Sequence, residues 1–149
     1  MKLEQEIHQG EFKNMEHKSL INLMYTYGYI VNKMAFTFKE FNITRQQYNV
    51  LRILRGQFPN PTSINLIKER MLDKMSDASR IVDRLKLKKL IVKKTSKTDK
   101  RGVDILISEE GLKMLKLLDS KVDEFNHFFD NLNQDELKTL NDLLDKVRG

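Results

Sequence analysis

Asp77-Ala78-Ser79-Arg80-Ile81-Val82-Asp83-Arg84-Leu85 is the stretch on which the reading of this chain turns. Ala78, Ile81, Val82 and Leu85 stand at i, i+3, i+4 and i+7, the spacing of one apolar stripe on an α-helix. The opposite face shows Ser76, Asp77, Ser79, Arg80, Asp83 and Arg84, and the helix is expected over about 74–88. Upstream, a break at Leu72-Asp73 separates it from a short helix carrying Leu66, Ile67 and Arg70, with Thr62 as its expected cap. Downstream, Leu90-Ile91-Val92-Lys93-Lys94-Thr95 and Val103-Asp104-Ile105-Leu106-Ile107 have strand composition. Between them lies the polar turn Ser96-Lys97-Thr98-Asp99-Lys100-Arg101-Gly102, so the pair reads as a hairpin.

To the N-terminal side, Thr44-Arg45-Gln46-Gln47 is a capping box that opens a helix carrying Tyr48, Leu51 and Leu54 and stopping near Gly56. Both prolines, Pro59 and Pro61, fall in the loop after it. Before it, Leu20, Leu23, Met24, Tyr27, Ile30, Val31, Met34 and Phe38 predict a long helix over 20–38, whose start extends toward Phe12 and Met15. To the C-terminal side, Ser108 caps a fifth helix with acids in its first turn, along which Leu112, Leu115, Leu118, Val122, Phe125 and Phe129 run. Asn133, with Glu136 in the reciprocal position, caps a sixth helix whose seam is Leu137, Leu140, Leu144 and Val147. The fold class is therefore mainly α with a small β-hairpin wing, an α+β arrangement of the winged helix-turn-helix type.

Charge points the same way. Residues 1–43 are neutral, 44–67 carry +3, 68–101 carry +8 and 102–149 carry −5, within a formal total of +6 over 149 residues. A strongly basic middle suits a polyanion, although a solvated Lys-rich surface has the same signature. The absence of cysteine excludes disulfides, thiolate metal sites and cysteine nucleophiles. The six glycines never lie closer than nine residues, which excludes a Gly-rich phosphate loop. No His-Glu-x-x-His and no nucleophile elbow is present, so an enzyme is not expected. His8, His17 and His127 are dispersed without ligand spacing, and no metal or cofactor is expected. With no apolar run long enough to span a bilayer and no signal peptide, a cytoplasmic location without membrane contact is the expectation.

The physical logic of the middle segment is groove binding. A helix fits the major groove and its outward side chains reach base edges, while a two-stranded wing follows the backbone and sets an arginine in the minor groove. Ser76, Ser79, Arg80 and Arg84 are the expected recognition surface, with Arg80 able to fork onto guanine. Two readings stand for Arg84: a DNA contact, or an ion pair with Asp83 or Asp77. Lys97 and Lys100 are expected to contact phosphate, and Lys93 or Lys94 also, though one of these two must face away in a regular strand.

The segment 77–85, followed by Lys88-Lys89-Leu90-Ile91-Val92, by Asp99-Lys100-Arg101 and by Ser108-Glu109-Glu110-Gly111, resembles the multiple antibiotic resistance regulator (MarR) family in order and spacing. The resemblance covers roughly 20–147. It implies a single domain over 1–149, with a winged part at about 44–107 and dimerisation helices at about 12–40 and 108–147. It implies a homodimer that regulates transcription on a pseudo-palindromic double-stranded operator, usually as a repressor relieved by a small ligand. In the wing, Asp99-x-Arg101 matches the family's Asp-x-Arg, so Arg101 is the expected wing arginine and Asp99 is expected to hold it by a charge-assisted hydrogen bond. The family's ligand cleft implies a site for a small aromatic or amphipathic molecule at Tyr25, Tyr29, Phe36 and Tyr48; core and dimer packing is the default explanation of these aromatics. One residue departs from the pattern. Lys89 stands where the family usually has Gly, so either a left-handed Lys costs about 1 kcal/mol or the helix runs on before the wing. Two other functions stay open: a non-specific architectural DNA binder and a winged-helix protein-interaction module.

Overall fold

The computed structural model describes Met1–Gly149. The chain divides into two compact units, Met1–Thr37 and Phe38–Gly149. No helix is long and apolar enough to cross a membrane.

The first unit holds a short helix, α1 (Leu3–Glu6), and most of a long one, α2 (Met15–Glu40). Asn14 opens α2 by accepting the His17 amide at 2.8 Å. Within this unit α1 is strapped to α2: Glu4 pairs with Lys18, and the Tyr25 hydroxyl donates to Glu6 at 2.8 Å. Lys18 is the first cause that holds the Glu4 carboxyl below its ordinary range. Leu20, Leu23, Met24, Tyr27 and Phe36 nonetheless stand exposed along α2, whose one buried residue is Phe38.

The second unit begins where α2 ends. Asn42 is left-handed (φ 54), its amide bonds to Lys39 O at 3.0 Å, and Ile43 N reaches back to Phe38 O at 3.2 Å. That is a Schellman stop, sealed by the buried pair Phe38 and Ile43. The Thr44–Gln47 capping box then opens α3 (Arg45–Gln57) as expected. The next helix, α4 (Ile64–Arg70), is capped by Ser63 and not by Thr62. Thr62 instead exchanges both backbone hydrogen bonds with Ile105 at 2.9 Å, a one-residue third strand beside the hairpin. Pairing with a strand so far along the chain overrides the local preference for a threonine cap.

The following helix, α5 (Ala78–Leu87), begins later than the expected 74, because Asp77 is its cap and accepts the Arg80 amide at 3.1 Å. Its end repeats the stop of α2. Lys89 is left-handed (φ 61), its amide bonds to Lys86 O at 2.9 Å, Leu90 N reaches Leu85 O at 3.0 Å, and Leu85 and Leu90 are both buried. The left-handed alternative for Lys89 is thus the one adopted. Strands β1 (Ile91–Thr95) and β2 (Val103–Ile107) pair antiparallel, Ile91 with Ile107 through Thr95 with Val103.

Ser108 caps α6 (Glu109–Asp123) and also donates its hydroxyl to Lys89 O at 2.7 Å. Gly111 lies so close beneath that a Cβ would meet Leu90 O at 2.3 Å and Ile107 Cγ1 at 2.7 Å. The fifth predicted helix does not run straight through to Phe129: Glu124–Phe129 tightens into a 3₁₀ turn, which sets Phe125 edge-on to Phe38 at 5.9 Å. The Arg55 guanidinium grips Asp119 through two 3.0 Å hydrogen bonds and joins α3 to α6. Phe38, Val50, Leu51, Leu54, Ile67, Val82, Leu85, Ile105, Leu115 and Leu118 form the core. The last helix, α7 (Gln134–Arg148), has its capping box and no buried residue.

Candidate nucleic-acid interface

The outward face of α5 is set by its own periodicity. Ala78, Val82 and Leu85 point into the core, which turns Arg80, Asp83, Arg84 and Leu87 to the opposite side, all exposed. Ser79 is exposed beside them. Arg84 has no acid within ion-pair distance: Asp77 is occupied as the α5 cap, and Asp83 binds Lys93 at 2.8 Å. Of the two readings for Arg84, the ion pair is therefore not formed.

Ser76 lies off the helix, in the turn between α4 and α5, and is only half-exposed. Its hydroxyl is the first cause that holds the Asp73 carboxyl below its ordinary range, followed by the Met75 amide. The turn is bound into the fold from several sides. Met75 N–H donates to Asp73 Oδ1 at 3.1 Å, Ser76 N–H to Asp73 O at 3.3 Å, and Leu72 N–H to Asn49 Oδ1 on α3 at 2.9 Å. Between the start of α3 and α5 lies a shallow cleft of about 270 Å³, lined by Thr44, Gln46, Gln47, Ser76, Asp77, Arg80, Ile81 and Arg84.

The wing tip is organised by a serine. Ser96 is buried and its Oγ accepts the amides of Thr98 and Asp99 at 3.3 Å. Gly102 N–H closes on Asp99 O at 2.9 Å, and Arg101 N–H donates to Asp99 Oδ1 at 2.9 Å. Asp99 thus shapes the turn through the Arg101 backbone and leaves the guanidinium unheld, contrary to the expected side-chain pair. Lys97, Lys100 and Arg101 are exposed at this tip. Lys93 is committed to Asp83, so it braces β1 against α5, while Lys94 faces solvent.

Sequence reasoning missed Gln46, which shares the cleft with Arg80 and Arg84, and Lys88. Lys88 Nζ donates to Asn42 O at the end of α2 and to Gln47 Oε1 at 3.2 Å, tying the end of α5 to the start of α3. The Thr44–Gln47 box signalled only a helix start; nothing local announces which later helix it faces. The surface so assembled is basic, since residues 44–101 hold 16 Lys and Arg against 5 acids.

The aromatic residues fall in both units. Tyr25, Tyr29 and Phe36 line one cleft of about 320 Å³ along α2, with Gly28, Asn32 and Lys33, and Lys33 Nζ lies 5.8 Å from the Tyr29 ring centre. Tyr48 is buried in the second unit, its ring tilted against Phe38 at 4.7 Å between centroids, and burial pushes its hydroxyl above the ordinary range.

A sequence model of the MarR family matches residues 41–102, the part that builds the helix-turn-helix and wing. A search of curated proteins returns no match. Among solved structures, the chain is similar to a MarR transcription factor from Planctomyces limnophilus, at 27% identity, 91% of this chain, 98% of that chain and a TM-score of 0.69. It is similar to MepR of S. aureus, solved in complex with DNA, at 22% identity, 92% and 97% coverage and a TM-score of 0.75. It is also similar to BpsR of Bordetella bronchiseptica, whose DNA binding is regulated by 6-hydroxynicotinic acid, at 21% identity, 89% and 99% coverage and a TM-score of 0.74. The fold is thus shared along about nine-tenths of the chain with solved winged helix-turn-helix proteins, and its winged part, residues 41–102, is similar to the MarR family.

Proposed function

We propose that this protein is a homodimeric, sequence-specific repressor that binds a pseudo-palindromic operator and releases it when a small ligand binds. The observation that carries the reading is the pair of exposed arginines on α5, Arg80 and Arg84, without acid partners, beside a wing that offers Lys97, Lys100 and Arg101. A merely structural surface does not need two unpaired guanidinium groups on one helical face. Each can fork onto a guanine edge or a phosphate. Ser79 supplies a further contact near the helix start, and Asp99 keeps the wing turn in shape for Arg101.

Dimerisation is supported by the exposed apolar residues of α2 and by α7, whose Leu143 and Val147 stand open to solvent. Two subunits each offering one recognition helix require inverted half-sites, centred about 10 bp apart or a multiple of that. The cleft at Tyr25, Tyr29 and Phe36 is the site proposed for an aromatic or amphipathic inducer: its walls are aromatic and its polar groups, Asn32 and Lys33, are few. Selection of bound sequences from random duplex tests the reading. Two inverted half-sites support it; an asymmetric motif, or no enrichment above random duplex, overturns it in favour of an architectural binder. Absence of duplex binding even at low salt points to a protein-interaction module.

A further inference from the structure

Met75 is the most exposed apolar side chain of the turn that enters the recognition helix, ahead of Leu72 at 82%. It is 93% exposed, on the turn two residues before the Asp77 cap of α5. A singly exposed apolar residue is ordinary on a protein surface. What sets Met75 apart is its setting. Its backbone is held by Asp73 Oδ1 at 3.1 Å, the next residue by Asp73 O, and Leu72 by Asn49. Lys74, on its other side, turns its ammonium back onto the carbonyls of Lys68 and Glu69. The polar groups around it are likewise occupied: the Ser76 hydroxyl by Asp73, and the Asp77 carboxylate by the Arg80 amide. The start of the recognition helix therefore presents no free hydrogen-bonding side chain until Ser79 and Arg80. It presents a thioether chain on a turn whose backbone is already ordered.

We infer that Met75 is a specificity-determining residue that reads the 5-methyl group of a thymine in the major groove. The inference rests on the proposed operator binding. Of the four bases, only thymine displays an apolar group in that groove. A long, unbranched, polarizable side chain adapts to such a group. The basic surface of α5 and the wing supplies the attraction that brings a duplex to this turn, and Met75 adds discrimination at no cost in charge. Burial of one methyl group is worth about a fourfold change in affinity per half-site.

The test is a coupling cycle on the selected operator, with each thymine replaced in turn by deoxyuridine, which lacks only the methyl group. One thymine per half-site is expected at which the replacement weakens binding by the wild-type protein about fourfold. Met75→Ala is expected to weaken binding to the thymine operator by a similar factor and to be indifferent to that one replacement. Met75→Leu is expected to keep the preference. If every deoxyuridine replacement weakens wild type and Met75→Ala alike while operator binding persists, Met75 reads no methyl group, and the proposed regulator stands without it. If the wild-type protein binds no duplex at low salt, both readings fall together.

Discussion

The winged part and the long helices are built to different standards. In the second unit every helix from α3 through α6 starts on a side-chain cap, α5 ends on a Schellman turn, and a close-packed core lies beneath. Along α2 in the first unit, and along α7, the termini are just as well formed, yet α2 leaves most of its apolar residues exposed, and α7 buries none, with Leu143 and Val147 exposed and Leu137, Leu140 and Leu144 half-buried. Amphipathicity and caps are local properties and require no partner. Burial does. The winged part is a finished object, whereas the open faces of α2 and α7 fit the proposed homodimer, in which a second copy covers them.

The contrast is tested most severely by Leu140→Glu, in the α7 seam. It leaves the helix fold of the winged part intact by circular dichroism, shifts sedimentation to the monomer and, by removing avidity between half-sites, weakens operator binding about 100- to 10,000-fold. An unchanged sedimentation coefficient would show that α7 is a solvent-facing helix after all. In the winged part the corresponding weak point is Gly111. Gly111→Ala drives a methyl group into Leu90 O, and the unavoidable shift is expected to cost about 3 kcal/mol in urea unfolding. A cost below about 0.5 kcal/mol would mean that the wing base is looser than its hydrogen bonds suggest.

Within the interface itself, helix and wing are expected to respond differently. Arg80→Ala is expected to cost about 1–3 kcal/mol and to relax preference at one position per half-site. Lys97→Ala is expected to weaken all sequences alike and to lower the slope of log affinity against log salt by about one for each phosphate it no longer neutralises. Equal loss of sequence preference in both variants would remove the distinction between helix and wing. The smallest effect belongs to Lys89, the residue in the α5 stop that adopts a left-handed backbone with a side chain attached. Lys89→Gly is expected to raise stability by about 1 kcal/mol, with operator specificity unchanged because the stop already has the geometry glycine prefers.

Whatever depends on neighbours three or four residues apart was legible in the amino-acid order. The caps at Thr44, Ser108 and Asn133 and the apolar stripe Ala78–Leu85 are of that kind, since a cap or a stripe is a relation between i and i+3 or i+4, and the hairpin was legible from two strand-like runs around the polar turn Ser96–Gly102. The remaining outcomes were settled by folding in three dimensions. Thr62 was drawn away from α4 to pair with Ile105, Ser63 was left to cap, and Lys93 was taken out of the phosphate-facing set by pairing with Asp83. The Asp99 carboxylate turned to the Arg101 amide, Tyr48 was buried against Phe38, and Gly111 acquired a reason to be glycine. Most of these outcomes join residues distant in sequence, whose meeting is fixed by core packing. The Asp99 turn is the exception: there a short backbone bond competed with the side-chain pair and won, because closing a two-residue turn orders far less chain than holding a free guanidinium.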